Sequence, residues 1–241
     1  MTARSGGVST SELTDLEPWS VVEHLARTLQ VHVADAQELV EVVSAEAVRI
    51  VPAACYAGVI ITDPRRHLAT VTATSSVPKR FDEVQQHVGR GPCLTAARKQ
   101  IVVHMYDIAT DKRWPPFCDA AAEVGVASMV CLPLYVDEQV LGTLSLYADR
   151  PEAFATDGAE PVARMLATLA ALALAESHRT FQLRLALQNR DLIGQAKGIL
   201  MHAHSLTADA AFLRLAQRSQ HTNTKLVEVA ARVVETGTLD D

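Results

Sequence analysis

From about Asp157 to His202 no proline follows Pro161, and Ala, Leu, Glu, Gln and Arg dominate. Proline disrupts a helix interior and these residues favour one, so the stretch must form one long helix or two abutting helices. Leu185, Leu192 and Ile199 stand seven apart within it, as do Ala186, Ile193 and Leu200. That spacing returns a side chain to nearly the same side of a helix, which gives two adjacent apolar columns on one face. Such a face has to be covered.

Two short helices can supply the cover. Ala208 to Ser219 turns Ala211, Phe212, Leu215 and Ala216 inward, and Asn223 to Thr236 does the same with Leu226, Val229, Ala230, Val233 and Val234. Both follow the i, i+3, i+4 rule of an amphipathic helix. Thr207 and Asn223 stand where N-caps belong and Gly237 where a helix ends. The same columns also suit a two-fold coiled coil, so a homodimer and the three-helix module compete for one face.

The first two thirds of the chain have a different rhythm. Met1 to Trp19 is rich in Ser, Thr and Gly without an apolar period, and reads as a loose arm. Leu39, Val42, Val43, Ala47 and Ile50 predict a helix that opens the first domain and ends before Pro52. Tyr56–Thr62 and His67–Thr74 form a hairpin across Asp63-Pro64-Arg65-Arg66. A helical stretch at Phe81–Val88, the Gly89-Arg90-Gly91-Pro92 break and a short strand at Ile101-Val102-Val103 come next. A second hairpin then pairs Val130–Tyr135 with Val140–Tyr147 across Asp137-Glu138, and the domain ends near Pro151.

The expected fold class is therefore α+β: an antiparallel sheet flanked by helices, joined by a long helix to an all-α three-helix module. The expected boundaries are 1–19 for the arm, 20–153 for the sheet domain, 154–184 for the connecting helix or coiled coil, and 185–237 for the module. A chain of 241 residues with 49% hydrophobic and 21% charged residues suits two such cores.

Charge separates the two parts. The net charge is −6, but Phe181 to Thr236 holds seven basic residues against four acidic ones, so that segment is +3 and the rest −9. A mildly basic module on an acidic carrier permits a polyanionic partner. Apolar runs such as Met165–Ala175 are too Ala-rich to span a bilayer, and no basic leader precedes an apolar stretch, so no membrane association or secretion is expected. Cys55, Cys93, Cys118 and Cys131 lack paired spacing and read as reduced thiols of a cytoplasmic protein. The nine histidines show no metal spacing, since His202 and His204, two apart on a helix end, point to different faces. No metal, cofactor or catalytic residue is expected.

The segment Asn189-Arg190-Asp191-Leu192-Ile193-Gly194-Gln195-Ala196-Lys197-Gly198-Ile199-Leu200-Met201 resembles the signature of the ANTAR domain. The likeness continues through Ala210-Ala211-Phe212-Leu213-Arg214-Leu215, Arg218-Ser219-Gln220, Asn223, Lys225-Leu226 and Val229-Ala230. Upstream, Gly89-Arg90-Gly91-Pro92-Cys93, Asp111-Lys112-Arg113-Trp114-Pro115, Gly125-Val126-Ala127-Ser128, Leu132-Pro133-Leu134 and Leu141-Gly142-Thr143-Leu144-Ser145-Leu146-Tyr147 resemble a GAF domain. Together the two resemblances cover roughly residues 37 to 237. One departure is His204-Ser205, where ANTAR members commonly carry a glycine after the first helix.

The resemblance implies a transcription antitermination regulator whose ANTAR module binds hairpin loops of nascent RNA and blocks terminator formation, under a GAF sensor. RNA contacts fall on Lys197, Arg214, Arg218, Gln220, Asn223 and Lys225: cations outside the helical core for phosphates, and two amides that either read a base edge or close a turn. Ala196, Gly198 and Ala230 are packing residues. A GAF fold implies a pocket for an unknown small-molecule effector, with Cys93, Arg113 and Trp114 beside it. For Cys93 the competing readings are a redox-sensing thiol and a small buried hydrophobe; Trp114 is a packing anchor and Arg113 braces a loop carboxylate. Two other functions compete: a GAF-type enzyme that reduces free methionine sulfoxide through cysteine chemistry, and a helical module that binds protein or DNA.

Overall fold

The structure is a computed structural model that describes residues 18–51, 53–62, 68–155 and 158–239. The chain divides into two compact units, Met1–His178 and Arg179–Asp241.

The first unit opens with α1 (Pro18–His32) and α2 (Ala36–Ile50), followed by β1 (Tyr56–Thr62) and β2 (Leu68–Ala73). Next come α3 (Ser76–Val88), α4 (Pro92–Lys99), β3 (Val103–Met105), α5 (Pro115–Val124), β4 (Ser128–Val136) and β5 (Gln139–Ala148). The five strands form one sheet in the order β2-β1-β5-β4-β3, every pair antiparallel. Pro133 is tolerated within β4 because β3 pairs only as far as Cys131, which leaves an open edge there. Gly142 is required where β1 and β5 converge: a Cβ would lie 2.0 Å from the Ile60 carbonyl oxygen.

Strand alternation assigns each face a core. On one face Val59, Val130, Leu132, Leu144 and Leu146 pack with Leu39, Val40 and Val43 of α2, and with Ala163, Leu166 and Ala170 of the long helix α6 (Ala159–His204). On the other, Ile60, Met129, Cys131 and Tyr147 pack with Phe81 of α3, Cys93 and Ala96 of α4, and Phe117 and Ala121 of α5. Phe81 stands 5.1 Å from the Tyr147 ring and 5.6 Å from the Phe117 ring, centroid to centroid.

Several sequence expectations change here. Pro18–His32 is helical, so a further helix precedes the one before Pro52; Met1 to Glu17 lies outside the described residues. The helices α4 and α5, at eight and ten residues, are too short to show a clear apolar period, and both begin at a proline, α4 at the Pro92 of the expected break. The short strand begins at Val103, because Cys131, Val130 and Met129 pair with Val103, His104 and Met105. The 63–66 turn of the first hairpin lies outside the described residues.

The stretch read as one long helix or two abutting helices is one continuous helix of 46 residues, α6, with Pro161 in its first turn, and it runs from the first unit into the second. It is followed by α7 (Ala208–Thr222) and α8 (Leu226–Thr236). Ala196 and Leu200 of α6, Ala211 and Leu215 of α7, and Val229, Ala230 and Val233 of α8 form the second unit's core. Phe212 is not in it. It remains 40% exposed because Ala211 and Leu215 already fill the α7 contribution, and Phe212 falls at the edge of that stripe.

Thr207 caps α7, its hydroxyl accepting from the Ala210 amide at 3.2 Å. Asn223 does not cap α8. It ends α7 in the left-handed conformation at φ 50°, and Lys225 takes the N-cap position without a side-chain bond. Asparagine is among the few residues that tolerate this geometry, so its turn signal was real but belonged to the preceding helix. Ser205 adopts φ 53° directly after α6, doing without glycine the job that glycine usually performs there.

Candidate functional site

The second unit presents its cations on a small apolar frame. Arg214 and Arg218 lie one turn apart on α7, Arg214 exposed and Arg218 half-buried. Gln220 is exposed in the last turn of α7, and exposed Asn223 and Lys225 form the bend into α8. Lys197 is half-buried on α6, one residue beyond the core position Ala196. The α7–α8 bend is held by Ser219, whose hydroxyl donates to the Thr224 carbonyl at 2.7 Å. That bond fixes the backbone on which Gln220, Asn223 and Lys225 stand.

Arg232 on α8 joins this set, although its spacing in the chain does not mark it out. It faces Arg218 across a cleft of about 50 Å³ closed by Thr222, Thr236 and Leu239. Only the packing of α8 against α7 brings residues 14 apart in sequence to one cleft.

Among the described residues, none of the seven basic side chains between Phe181 and Thr236 forms an ion pair. In the first unit Arg27 pairs with Glu23, Arg49 with Glu46, Arg80 with Glu83 and Glu123, Arg113 with Asp111, and Arg164 with Glu160, whereas Arg90, Arg98 and Arg150 form no ion pair among the described residues. An arginine without a carboxylate keeps its fork of donors available to a phosphate.

In the sheet unit the three expected ligand-side residues occupy different environments. Cys93 is completely buried in the first turn of α4. Gly91 has no side chain to cap that helix, so Gln85 reaches over from α3 and accepts from the Cys93 amide at 2.9 Å and the Leu94 amide at 3.4 Å. A Cβ at Gly91 would stand 2.4 Å from the Gln85 side chain, so the glycine makes room for the residue that replaces its cap. Trp114 is half-buried at the margin of the same core.

Arg113 is exposed and clamps the loop. Its guanidinium donates to both Asp111 oxygens, Nε at 3.0 and 3.1 Å, and to the His104 carbonyl, while its carbon lies 4.5 Å from the Trp114 ring centroid. The Arg113 hydrogen bond holds the Asp111 carboxyl below the ordinary range, against the opposing pull of burial. Beside this clamp, residues 109–112 and the start of α5 border an open hollow of about 390 Å³ lined also by Cys118 and Asp119.

The central strand β5 turns Thr143, Ser145 and Tyr147 to the Cys93 face, all fully or almost fully buried. Burial holds the Tyr147 phenol far above its usual pKa. No group of three or more metal-ligating side chains is gathered among the described residues, and no described helix is long and apolar enough to cross a membrane.

Known proteins divide the chain in the same way. The family model for the GAF domain matches residues 33–175, and that for the ANTAR domain matches residues 182–234. The GAF domain of a phosphoenolpyruvate-protein phosphotransferase from Acinetobacter has a TM-score of 0.54 at 13% identity, covering 68% of this chain and 97% of its own. The free methionine-R-sulfoxide reductase from Neisseria meningitidis, solved with its substrate, has a TM-score of 0.51 at 15% identity, covering 75% of this chain and 98% of its own. At such identities the likeness concerns the fold alone. No curated protein matches the chain. A five-stranded antiparallel sheet with helices on both faces, a family match over more than half the residues and a second match on the helices beyond it lead to one assignment: the chain belongs to the GAF family and carries an ANTAR domain behind its GAF domain.

Proposed function

We propose that this chain is a cytoplasmic, non-enzymatic transcription antitermination regulator, in which the ANTAR unit binds hairpin loops of nascent RNA and thereby prevents a terminator from forming. The observation that carries this reading is the state of the ANTAR cations: the seven basic side chains between Phe181 and Thr236 have no acidic partner among the described residues. Phosphate contacts supply affinity and release counterions, and the amides of Gln220 and Asn223 supply donors and acceptors for unpaired loop bases. Lys197, Arg214, Arg218 and Lys225 are the phosphate contacts in this reading.

Control falls to the GAF unit, whose effector is a small molecule accommodated near Cys93, Arg113 and Trp114. The long helix carries the state of that unit forward. Phe181 and Leu185, four apart and so on one side of it, are 60% and 39% exposed, apolar surface that a second copy of the helix would bury in a homodimer. The GAF unit then sets helix pairing, and helix pairing sets how two ANTAR units are presented to a two-hairpin transcript.

The test is titration of the full chain against a two-hairpin RNA placed upstream of a terminator, over a salt series, with sedimentation at each point. Binding that weakens with salt and tracks the dimer supports the reading. RNA binding indifferent to dimerisation removes the proposed control, and absence of binding in every oligomeric state removes the RNA function. Thiol-dependent turnover of free methionine sulfoxide would replace the regulator with an enzyme.

A further inference from the structure

The face of the sheet that buries Cys93 buries a second thiol against it. Cys131, midway along β4, places its Sγ 3.5 Å from Cys93 Sγ, and Ser145 Oγ from β5 stands 3.0 Å from Cys93 Sγ and 3.7 Å from Cys131 Sγ. Both cysteines have zero exposure. The remaining two are unlike them: Cys55 is exposed, and Cys118 donates its thiol to the Ile108 and Asp111 carbonyls at 2.8 and 3.2 Å. From 3.5 Å, two sulfurs have only about 1.5 Å to close before they reach bonding distance.

The location favours chemistry over simple filling. β5 contributes Thr143 and Ser145 to this face, and Thr143 donates to the Cys93 carbonyl at 3.2 Å, so hydroxyls surround the sulfurs where an aliphatic core would serve stability better. The turn before α4 is a Gly-Arg-Gly segment, and the start of α4 is held by the Gln85 side chain and not by a cap of its own. An eight-residue helix fastened in this way has fewer backbone hydrogen bonds to break than strands paired on both sides.

We propose that Cys93 and Cys131 form a redox site of the GAF unit, closed to a disulfide by a hydroperoxide. Local opening of α4 admits the oxidant to Cys93. The Cys93 sulfur attacks the terminal peroxide oxygen and the O–O bond breaks, leaving a sulfenic acid on Cys93 and releasing the alcohol, or water when the oxidant is hydrogen peroxide. The Cys131 sulfur then attacks the Cys93 sulfur, the S–O bond breaks and the hydroxyl leaves as water with the Cys131 proton. Two thiols lose two protons and two electrons, and one peroxide is reduced. A dithiol reductant reverses the cycle.

The order of attack follows from position. Cys131 is paired through its strand to both β3 and β5, whereas Cys93 lies in the first turn of α4, so Cys93 is the sulfur that opening of α4 uncovers first and Cys131 is the partner that closes the bond. The neighbours of Cys131 on β4, Val130 and Leu132, point to the opposite face and pack in the core that holds the first half of α6. A bond drawn across α4 and β4 therefore acts one residue away from the seat of the output helix.

The reduced full-length chain, exposed to hydrogen peroxide while folded, then alkylated with N-ethylmaleimide in denaturant, digested and mass-analysed, tests the site. The expected result is loss of two of the four alkylatable thiols, one cross-linked peptide pair joining Cys93 to Cys131, and full recovery after dithiothreitol. Cys131→Ala is expected to stop at a Cys93 sulfenic acid that dimedone traps. The wild-type mapping does not depend on that variant's folding. Undiminished alkylation of Cys93 and Cys131 under conditions that oxidise Cys55, or cross-links that run to Cys55 or Cys118, would overturn the proposal.

Discussion

The two units differ in how many of their arginines are neutralised: five of the eight described in the GAF unit are paired, while Arg90, Arg98 and Arg150 are not. In the GAF unit Arg27, Arg49, Arg80, Arg113 and Arg164 each have a carboxylate partner, and the cluster at Arg113 ties Asp111, the His104 carbonyl and the Trp114 ring into one loop. In the ANTAR unit Arg184, Arg190, Arg214, Arg218 and Arg232 have none among the described residues. The first unit uses most of its arginines to hold its own surface together. The second leaves the same group open to solvent, where holding a surface pair would contribute little and a polyanion can use it. The cores differ in the same sense: the GAF sheet is covered on both faces, whereas the ANTAR unit rests on seven buried residues.

This contrast can be broken most directly at the small core. Leu215→Ala removes a fully buried side chain and is expected to cost about 2–5 kcal/mol, a large share of what so small a unit can have. Helix signal at 222 nm should show an early transition in the variant while the GAF transition stays in place. A common shift of both transitions would mean that the two units do not melt independently.

Next in size is the cationic surface. Arg214→Ala/Arg218→Ala is expected to lower affinity for a two-hairpin RNA by about tenfold to a hundredfold near 0.1 M salt, and to reduce the slope of log affinity against log salt by about one to two. Arg80→Ala, which removes a paired arginine of the GAF unit, should leave both quantities unchanged. Equal losses in the two variants would show that net charge, and not the ANTAR surface, governs binding.

The cap comes third. Thr207→Ala deletes the bond to the Ala210 amide and is expected to lower the ANTAR transition by about 1 kcal/mol in a denaturant titration. An unaltered midpoint would mean that solvent replaces the cap without cost.

The smallest effect expected is a pH dependence confined to the GAF unit. Burial lowers the pKa of His104, against the pull of Glu160 at 3.3 Å, so the folded ring stays neutral where the unfolded one takes up a proton. Stability from this group is present above the unfolded value of about 6.5 and is lost as the pH falls below it. Asp111, with its pKa lowered by Arg113, adds a second loss further into acid, as the pH falls through the carboxylate range. Calorimetry between pH 7.5 and 5.5 should show the GAF transition falling in the wild type and flattening in His104→Gln. An identical slope in the variant would assign the dependence to other groups.

Much of the fold could be read from the chain because its strongest signals are local. The proline-free run became one helix, Asp137-Glu138 became the turn between β4 and β5, and Thr207 and Gly237 mark helix ends, since each effect acts within a few residues. Where a local signal had two possible owners the reading slipped, as when Asn223 closed α7 and did not open α8. Helices of eight and ten residues passed unnoticed because their apolar period is too short to separate from a loop with proline.

For the candidate sites, residue type was legible and neighbourhood was not. The sequence marks Arg214, Arg218 and Lys197 as cations on amphipathic helices, and Cys93 as a cysteine beside a glycine-proline break. It gives no sign that Arg232 would share a cleft with Arg218, or that Cys131, 38 residues along, would touch Cys93. By itself the sequence determined the two-part architecture, the long helix and the distribution of charge, because periodicity, proline and composition act along the chain. Only the tertiary structure decided which cations are neutralised and which sulfurs meet, because those depend on distances between elements set by how side chains fill the space between sheet and helices.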